Sequence, residues 1–263
     1  MSGTVVTGAL EAALRARRDS GGKSLVPYLT GGLGDWQNMI RAAADAGADA
    51  IEVGIPFSDP VMDGPIIQEA NELALAAGAT PGSVLTAIAE LDCGVPVTVM
   101  TYANLVYRFG WQRFADRCAE VGVAGVIIPD IPLEESVPWT DAADAAGVET
   151  VMLAAPTGSD ERLGRVCARS RGFVYGVGLL GITGERDSLA ASATVIARRL
   201  KAITDTPVLV GVGIGTPQQA AEVCAVADGV VVGSAVVRRM LGDGTPAGIA
   251  ELIGTFRAAL DGL

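Results

Sequence analysis

The sequence predicts an α/β fold in which eight parallel strands close into a (β/α)8 barrel. Short apolar runs of strand length alternate with amphipathic helical segments along the chain, which is typical of βα units around a parallel sheet. Eight such runs occur, and 263 residues is an ordinary length for an α/β barrel. An open doubly wound sheet is the weaker alternative, because no Gly-x-Gly-x-x-Gly motif follows the first run.

The elements can be assigned in chain order. A helix over residues 8–18 precedes the barrel as an extra N-terminal element, and the apolar runs predict strands over residues 25–29, 50–54, 95–100, 125–128, 150–154, 173–177, 208–210 and 229–232. Helices are predicted over residues 35–46, 112–121, 141–146, 160–170, 191–203 and 217–226, with broken helical pieces over 65–91. Glycines at three joints, Gly47, Gly122 and Gly147, fit turns that end a helix. Since no linker is visible, we expect one domain over residues 1–263.

Composition and charge argue against several classes of function. Half of the residues are hydrophobic, which allows a large core. A net charge of −11 argues against nucleic acid and anionic membranes, since both require a basic face. No apolar run approaches the roughly 18 residues of a membrane span, and the N-terminus lacks a signal-peptide pattern. The four cysteines are widely spaced and histidine is absent, so we expect no metal site and reduced thiols in a cytosolic protein.

The candidate chemistry begins in the second predicted strand. Because the chain has no histidine, acid–base chemistry must fall to carboxylates, Lys, Tyr or Cys. Strand alternation places Ile51 and Val53 on one face and Ala50 and Glu52 on the other, and we expect the acid to face the barrel mouth. Burial there would raise the pKa of Glu52 and keep it useful as a proton donor. A structural carboxylate hydrogen-bonded to backbone amides is an equal alternative from position alone.

Three further acids follow predicted strands. Asp59 and Asp63 lie in the Gly/Pro-rich loop after the second strand, and Asp63 stands just before Gly64 and Pro65, where Pro65 could open a helix. Aspartates commonly cap helix N-termini, and spacing alone favours a cap for both residues. Asp130, after the fourth predicted strand, is another candidate for the site.

Two glycine-rich loops predict a phosphate site. The strand over 208–210 runs into a loop with three glycines at 211–215, and the strand over 229–232 runs into Gly233 and Ser234 at a helix start. Glycines let a phosphate approach backbone N–H groups, and barrels frequently bind phosphate at these two places. The alternative is a pair of tight turns, but two glycine loops at both expected places favour phosphate. A third glycine-rich loop, over 178–186, is either a lid over the ligand or an ordinary long loop.

Several of these segments together resemble the tryptophan synthase α subunit family along nearly the whole chain. The most specific segment is Pro-Phe-Ser-Asp-Pro-x-x-Asp-Gly-Pro at 56–65, and others lie at 100–106, 129–136, 181–184, 211–214 and 233–235. The resemblance implies a TIM barrel that cleaves indole-3-glycerol phosphate to indole and glyceraldehyde 3-phosphate by a retro-aldol step. It implies no metal or organic cofactor for this subunit.

The resemblance also implies roles for individual residues. Glu52 would protonate the indole ring at C3 and accept the proton of the glycerol hydroxyl. Asp63 would accept a hydrogen bond from the indole N–H and stabilise the positive charge on the ring, with Thr183 positioning it. Further implied contacts are to the indole pocket, from Tyr28, Met100, Tyr102, Tyr175 and Val212, and to the phosphate, from Gly184, Gly213, Gly233 and Ser234.

The family's partner is a pyridoxal-phosphate β subunit, in an αββα complex in which indole passes through a tunnel. The residues implied to face this partner are Asp59, Pro60, Asn104 and Pro132. Other functions stay open: a stand-alone lyase, a non-catalytic subunit that only activates β, or another phosphate-binding barrel such as a sugar-phosphate isomerase. Retention of Glu52 and Asp63 argues against the non-catalytic subunit, and the lack of histidine weighs against the isomerase.

Overall fold

The computed structural model describes residues 7–178, 186–211 and 213–263, with the side chains of 186–191 excepted. Its eight parallel strands are hydrogen-bonded in sequence order and close into a barrel, with β8 pairing to β1. The predicted (β/α)8 fold is therefore confirmed. The strands are β1 (Ser24–Thr30), β2 (Ile51–Gly54), β3 (Val97–Met100), β4 (Val123–Ile127), β5 (Glu149–Ala154), β6 (Val174–Gly176), β7 (Val208–Val210) and β8 (Gly229–Val232).

The helices surround this barrel, with one exception at its base. They are α1 (Ala9–Asp19), α2 (Trp36–Asp45), α3 (Pro65–Ala76), α4 (Pro81–Ile88), α5 (Ala103–Phe109), α6 (Trp111–Glu120), α7 (Val137–Ala146), α8 (Asp160–Arg169), α9 (Arg186–Lys201), α10 (Pro217–Cys224), α11 (Ser234–Leu241) and α12 (Pro246–Asp261). A single 3-10 turn, Leu133–Glu135, precedes α7. The sequence assignment omitted α5 and α12 and began α7 four residues late. No helix within the described ranges is long and apolar enough to cross a membrane.

Alternation along the strands separates two apolar layers. Ile51 and Val53 of β2 belong to the large layer between the strands and the outer helices, while Ala50 packs inside the barrel. The interior layer includes Val26, Ile127, Val151, Phe173, Leu209 and Val231. The two faces assigned to β2 from the sequence are therefore confirmed. Because the interior is filled with side chains at this level, open space remains only towards the mouth.

Helix α1 closes the base of the barrel. Leu10 and Leu14 are fully buried against the interior layer. Glu149, at the start of β5, accepts hydrogen bonds from the backbone N–H groups of Leu10 at 2.8 Å and Glu11 at 3.0 Å. This carboxylate satisfies two of the N–H groups that the first turn of a helix leaves free. The base is therefore held by apolar packing and by buried acids, Glu149 and Glu11, far from the strand ends where ligands bind.

Candidate active site

A cavity of about 230 Å³ opens at the C-terminal ends of the strands. It is mostly apolar, with two carboxyl groups and two phenols among its walls. Eight of the residues named from the sequence line it: Tyr28, Glu52, Asp63, Met100, Tyr175, Gly213, Gly233 and Ser234. Nine further described residues also line it: Met62, Gly64, Ile67, Ile127, Pro129, Leu153, Val177, Gly211 and Val231. Thr183, Gly184 and Val212 lie outside the described residues.

Glu52 lies on β2 with its side chain in the cavity and is only 1 % exposed. Register places it beside Tyr28 of β1 and Thr98 of β3. Burial, followed by the nearby charge of Asp63, raises the pKa of Glu52 to about 8. Its Oε2 has no hydrogen-bond partner among the described residues, and no described backbone amide donates to the group. Within the described residues Glu52 is therefore not held by backbone amides, and its burial favours the protonated form.

Asp63 faces the same cavity from the loop after β2. Its Oδ2 accepts from Nδ2 of Asn71 at 3.3 Å, and the hydroxyl of Tyr102 lies close to the same carboxyl. Burial raises the pKa of Asp63, while these two groups act in the opposite direction. The N-cap of α3 is Gly64, without a side-chain capping bond, so the cap predicted for Asp63 is wrong. The loop thus directs this carboxyl into the cavity.

Two tyrosines shape the inner wall. Tyr28 lies on β1 and Tyr175 on β6, and their hydroxyls lie against Gly54 of β2 and against Gly211, the residue after β7. A Cβ at either glycine would overlap the tyrosine hydroxyl, so the two rings keep these positions only because the residues are glycines. Burial and the charge of Glu52 raise both tyrosine pKa values, so both phenols stay neutral.

Tyr102 has a different place from the one implied by the resemblance. It is not among the residues that line the cavity, and it is buried behind Asp63. Its hydroxyl accepts from the backbone N–H of Met62 at 3.2 Å and lies close to the carboxyl of Asp63. Its ring packs on Phe57, with centroids 5.1 Å apart. Tyr102 therefore contacts the loop that carries Asp63, whereas the resemblance implies a contact with the indole ring.

The part of the cavity at the start of α11 has the features expected of an anion-binding site. Gly213, Gly233 and Ser234 line it, and α11 begins at Ser234 with no side chain capping its first turn. The first-turn N–H groups and the positive end of the helix dipole are therefore free to act on a ligand. Gly213 has φ +83°, a conformation that side chains rarely adopt. These features favour a phosphate over two incidental turns.

The residues proposed to face a partner lie on the surface around the mouth. Asp59, Asn104 and Pro132 are exposed and Pro60 is half-buried. Asp59 accepts from the hydroxyl of Ser58 and caps no helix, so the cap predicted for it is also wrong. The fourth candidate acid, Asp130, accepts from the N–H of Ala103 at 2.9 Å and so fixes the start of α5, outside the cavity lining.

Sequence reasoning missed Asn71. This residue is 2 % exposed and lies on α3 between the buried residues Ala70 and Ala74. The detectable signal was a polar residue on the buried face of this helix, because such residues are rare there unless they have a partner. The described residues contain no group of three or more acidic or cysteine side chains able to hold a metal ion.

Comparisons with known proteins agree with this geometry. The family model described as tryptophan synthase alpha chain matches residues 14–251. The chain is 45 % identical over 250 residues to the tryptophan synthase alpha chain of Streptomyces coelicolor, covering 92 % of this chain and 90 % of that one. It is 42 % identical over 249 residues to that of Oceanobacillus iheyensis, covering 93 % and 95 %.

Solved structures give the same result for the fold. A structure of Mycobacterium tuberculosis tryptophan synthase superposes with a TM-score of 0.88 at 35 % identity, covering 97 % of this chain and 99 % of that one. The tryptophan synthase subunit alpha from Legionella pneumophila gives a TM-score of 0.87 at 30 % identity, covering 98 % and 100 %. The chain therefore belongs to the tryptophan synthase alpha chain family.

Proposed function

We propose that this cavity carries out the reaction of the family, the retro-aldol cleavage of indole-3-glycerol phosphate to indole and glyceraldehyde 3-phosphate. The observation that supports it best is the pairing of two carboxyl groups in different environments. Glu52 is buried, its pKa is raised to about 8 and its Oε2 has no partner among the described residues, whereas Asp63 accepts a hydrogen bond from Asn71 and lies beside the hydroxyl of Tyr102. Environments that separate two carboxyl groups in this way allow one to act as an acid while the other stays charged.

The two groups divide the chemistry. The protonated Glu52 donates its proton to C3 of the indole ring, which leaves a positive charge shared with the ring nitrogen. Asp63 accepts the N–H hydrogen bond and stabilises this charge. The Glu52 carboxylate then takes the proton of the glycerol hydroxyl next to the ring. The carbon–carbon bond breaks, its electrons neutralise the ring, and the aldehyde and indole are released with Glu52 protonated again.

The rest of the cavity supports the two ends of this substrate. Tyr28, Met100 and Tyr175 supply apolar surface for a flat aromatic ring, and both phenols stay neutral beside Glu52. Gly213, Gly233 and Ser234 supply backbone N–H groups for the phosphate at the start of α11. We propose the same assignments for three residues outside the described ranges, with Val212 at the ring, Gly184 at the phosphate and Thr183 at Asp63.

Members of this family pair with a β subunit, and we propose that this chain forms the αββα complex. Support comes from the exposure of Asp59, Asn104 and Pro132 around the mouth, so that a partner docked there would receive indole directly. We also propose that residues 1–263 act as one barrel domain. We propose the cytosol as its compartment, since all four cysteines are free, three of them buried.

The test is indole release from indole-3-glycerol phosphate by the purified chain, with and without a tryptophan synthase β subunit. We expect slow release by the chain alone and strong activation by β. Fast release that β does not change would indicate a stand-alone lyase. No release in either condition, together with activation of the β reaction by this chain, would indicate a non-catalytic subunit and refute the proposal.

A further inference from the structure

Asn71 occupies a position that the helix does not require to be polar. Its neighbours on the buried face of α3, Ala70 and Ala74, are fully buried alanines. Asparagine is less favourable than alanine inside a helix. Burial of its amide adds a further cost, because Oδ1 has no hydrogen-bond partner within the described part of the chain. A residue that costs stability in two ways without completing a structural network calls for another explanation.

The one described partner of the Asn71 side chain is Asp63. Nδ2 donates to Oδ2 of Asp63 at 3.3 Å, across eight positions of sequence. The second polar group close to this carboxyl is the hydroxyl of Tyr102, which accepts from the N–H of Met62. These groups come from two separate segments, α3 and the residue that precedes α5. Both are neutral groups that can donate hydrogen bonds, which lowers the cost of a charged carboxylate in a buried place.

The groups that face Asp63 from the remaining walls do not stabilise its negative charge. Glu52 of β2 is an acid, and Tyr28 and Tyr175 are neutral phenols whose pKa values rise partly through the charge of Asp63 itself. Two acids that share one cavity compete for a single proton. The order of protonation therefore depends on which acid has hydrogen-bond donors. Asp63 has Asn71 and the nearby hydroxyl of Tyr102, whereas Oε2 of Glu52 has no partner among the described residues.

We propose that Asn71 and Tyr102 are positioning residues that keep Asp63 ionised and aimed into the cavity, so that the shared proton stays on Glu52. This inference rests on the proposed function, and it explains why Glu52 acts as the proton donor while Asp63 stays charged. It also gives Tyr102 a role behind the acid, where the resemblance placed it around the indole ring. Neither residue needs to contact the substrate for this role.

The test compares pH profiles of kcat and KM for indole release by the full chain with its β subunit. The variants are Asn71→Leu, which keeps the size and removes the donor, Asn71→Ala, and Tyr102→Phe. We expect kcat to fall about tenfold to a hundredfold, the range for a lost hydrogen bond to a charged group, with a small change in KM. The acidic limb of the kcat pH profile should move to higher pH, because Asp63 is protonated more readily when it has fewer hydrogen-bond donors. The alkaline limb, which reports Glu52, stays in place.

Controls separate this role from a structural one. Asn38→Leu makes the same replacement at an exposed position of α2 and should leave both limbs unchanged. Thermal unfolding identifies variants that fail to fold. If the Asn71 variants fail to fold, Tyr102→Phe tests the proposal on a different segment of the chain. An acidic limb that stays at its parent pH in every folded variant would overturn the inference. A parent chain that releases no indole would instead overturn the proposed function.

Discussion

The burial of Glu52 predicts a stability cost that rises with pH. Its pKa is raised from 4.5 to about 8 by burial and by Asp63. A carboxyl with a raised native pKa binds more protons in the folded than in the unfolded state between these values, so stability is lost as pH rises. The expected loss is about 1.4 kcal/mol for each pH unit. Between pH 5.5 and 7.5 this gives about 3 kcal/mol, an upper bound for this one group.

Glu52→Gln removes this titration while nearly preserving shape. The free energy of unfolding, from urea titrations at several pH values, should therefore fall less steeply with pH in the variant than in the parent. The difference between the two curves should grow by about 3 kcal/mol from pH 5.5 to 7.5. Comparing slopes avoids the fixed cost of burying the new amide. Curves that run parallel would refute the raised pKa of Glu52. The same titration limits catalysis, so kcat/KM should fall above about pH 8.

Three other predictions concern the remaining parts of the cavity. Asp63→Asn should lower kcat by about a hundredfold to a thousandfold, as loss of a charged transition-state contact does, and an unchanged kcat would remove Asp63 from the mechanism. Ser234→Asp places a carboxylate at the start of α11, where it offsets the positive end of the helix dipole and repels a phosphate. The affinity for glycerol 3-phosphate, measured by calorimetry, should therefore fall by more than about tenfold. An unaltered affinity would show that the phosphate binds elsewhere. Gly211→Ala should displace Tyr175 and lower kcat/KM, whereas Gly254→Ala, with open space around its Cβ, should not; equal activities would show that the ring position is unimportant.

Local patterns determined most of the barrel. The strands could be assigned because parallel strands buried on both faces read as continuous apolar runs, as in β8. Alternation within β2 was enough to predict that Glu52 points inwards, since a period of two places it on the face opposite Ile51 and Val53. The start of α11 followed from a glycine and serine after an apolar run.

The remaining features depend on contacts between distant residues. Helix α5 is only seven residues long, and its first N–H is bound by Asp130, twenty-seven positions later, so no local signal marks its start. Asp63 looked like a helix cap because the local sequence fits one, but Asn71 and Tyr102 turn its carboxylate to the cavity. By contrast, α12 had a local signal that was overlooked, since the hydroxyl of Thr245 caps it before a proline.

The most direct test of the account compares indole release by Glu52→Gln with indole release by a variant of a second buried acid. Glu149→Gln is the matched control, because Glu149 is also a buried glutamate with a raised pKa but holds α1 at the opposite end of the barrel. With the β subunit present and folding verified, we predict that Glu52→Gln loses activity by at least about a thousandfold, within the range of general acid–base catalysis. Glu149→Gln should keep near-parent kcat with reduced stability. Cleavage by Glu52→Gln within a few-fold of the parent would contradict the account.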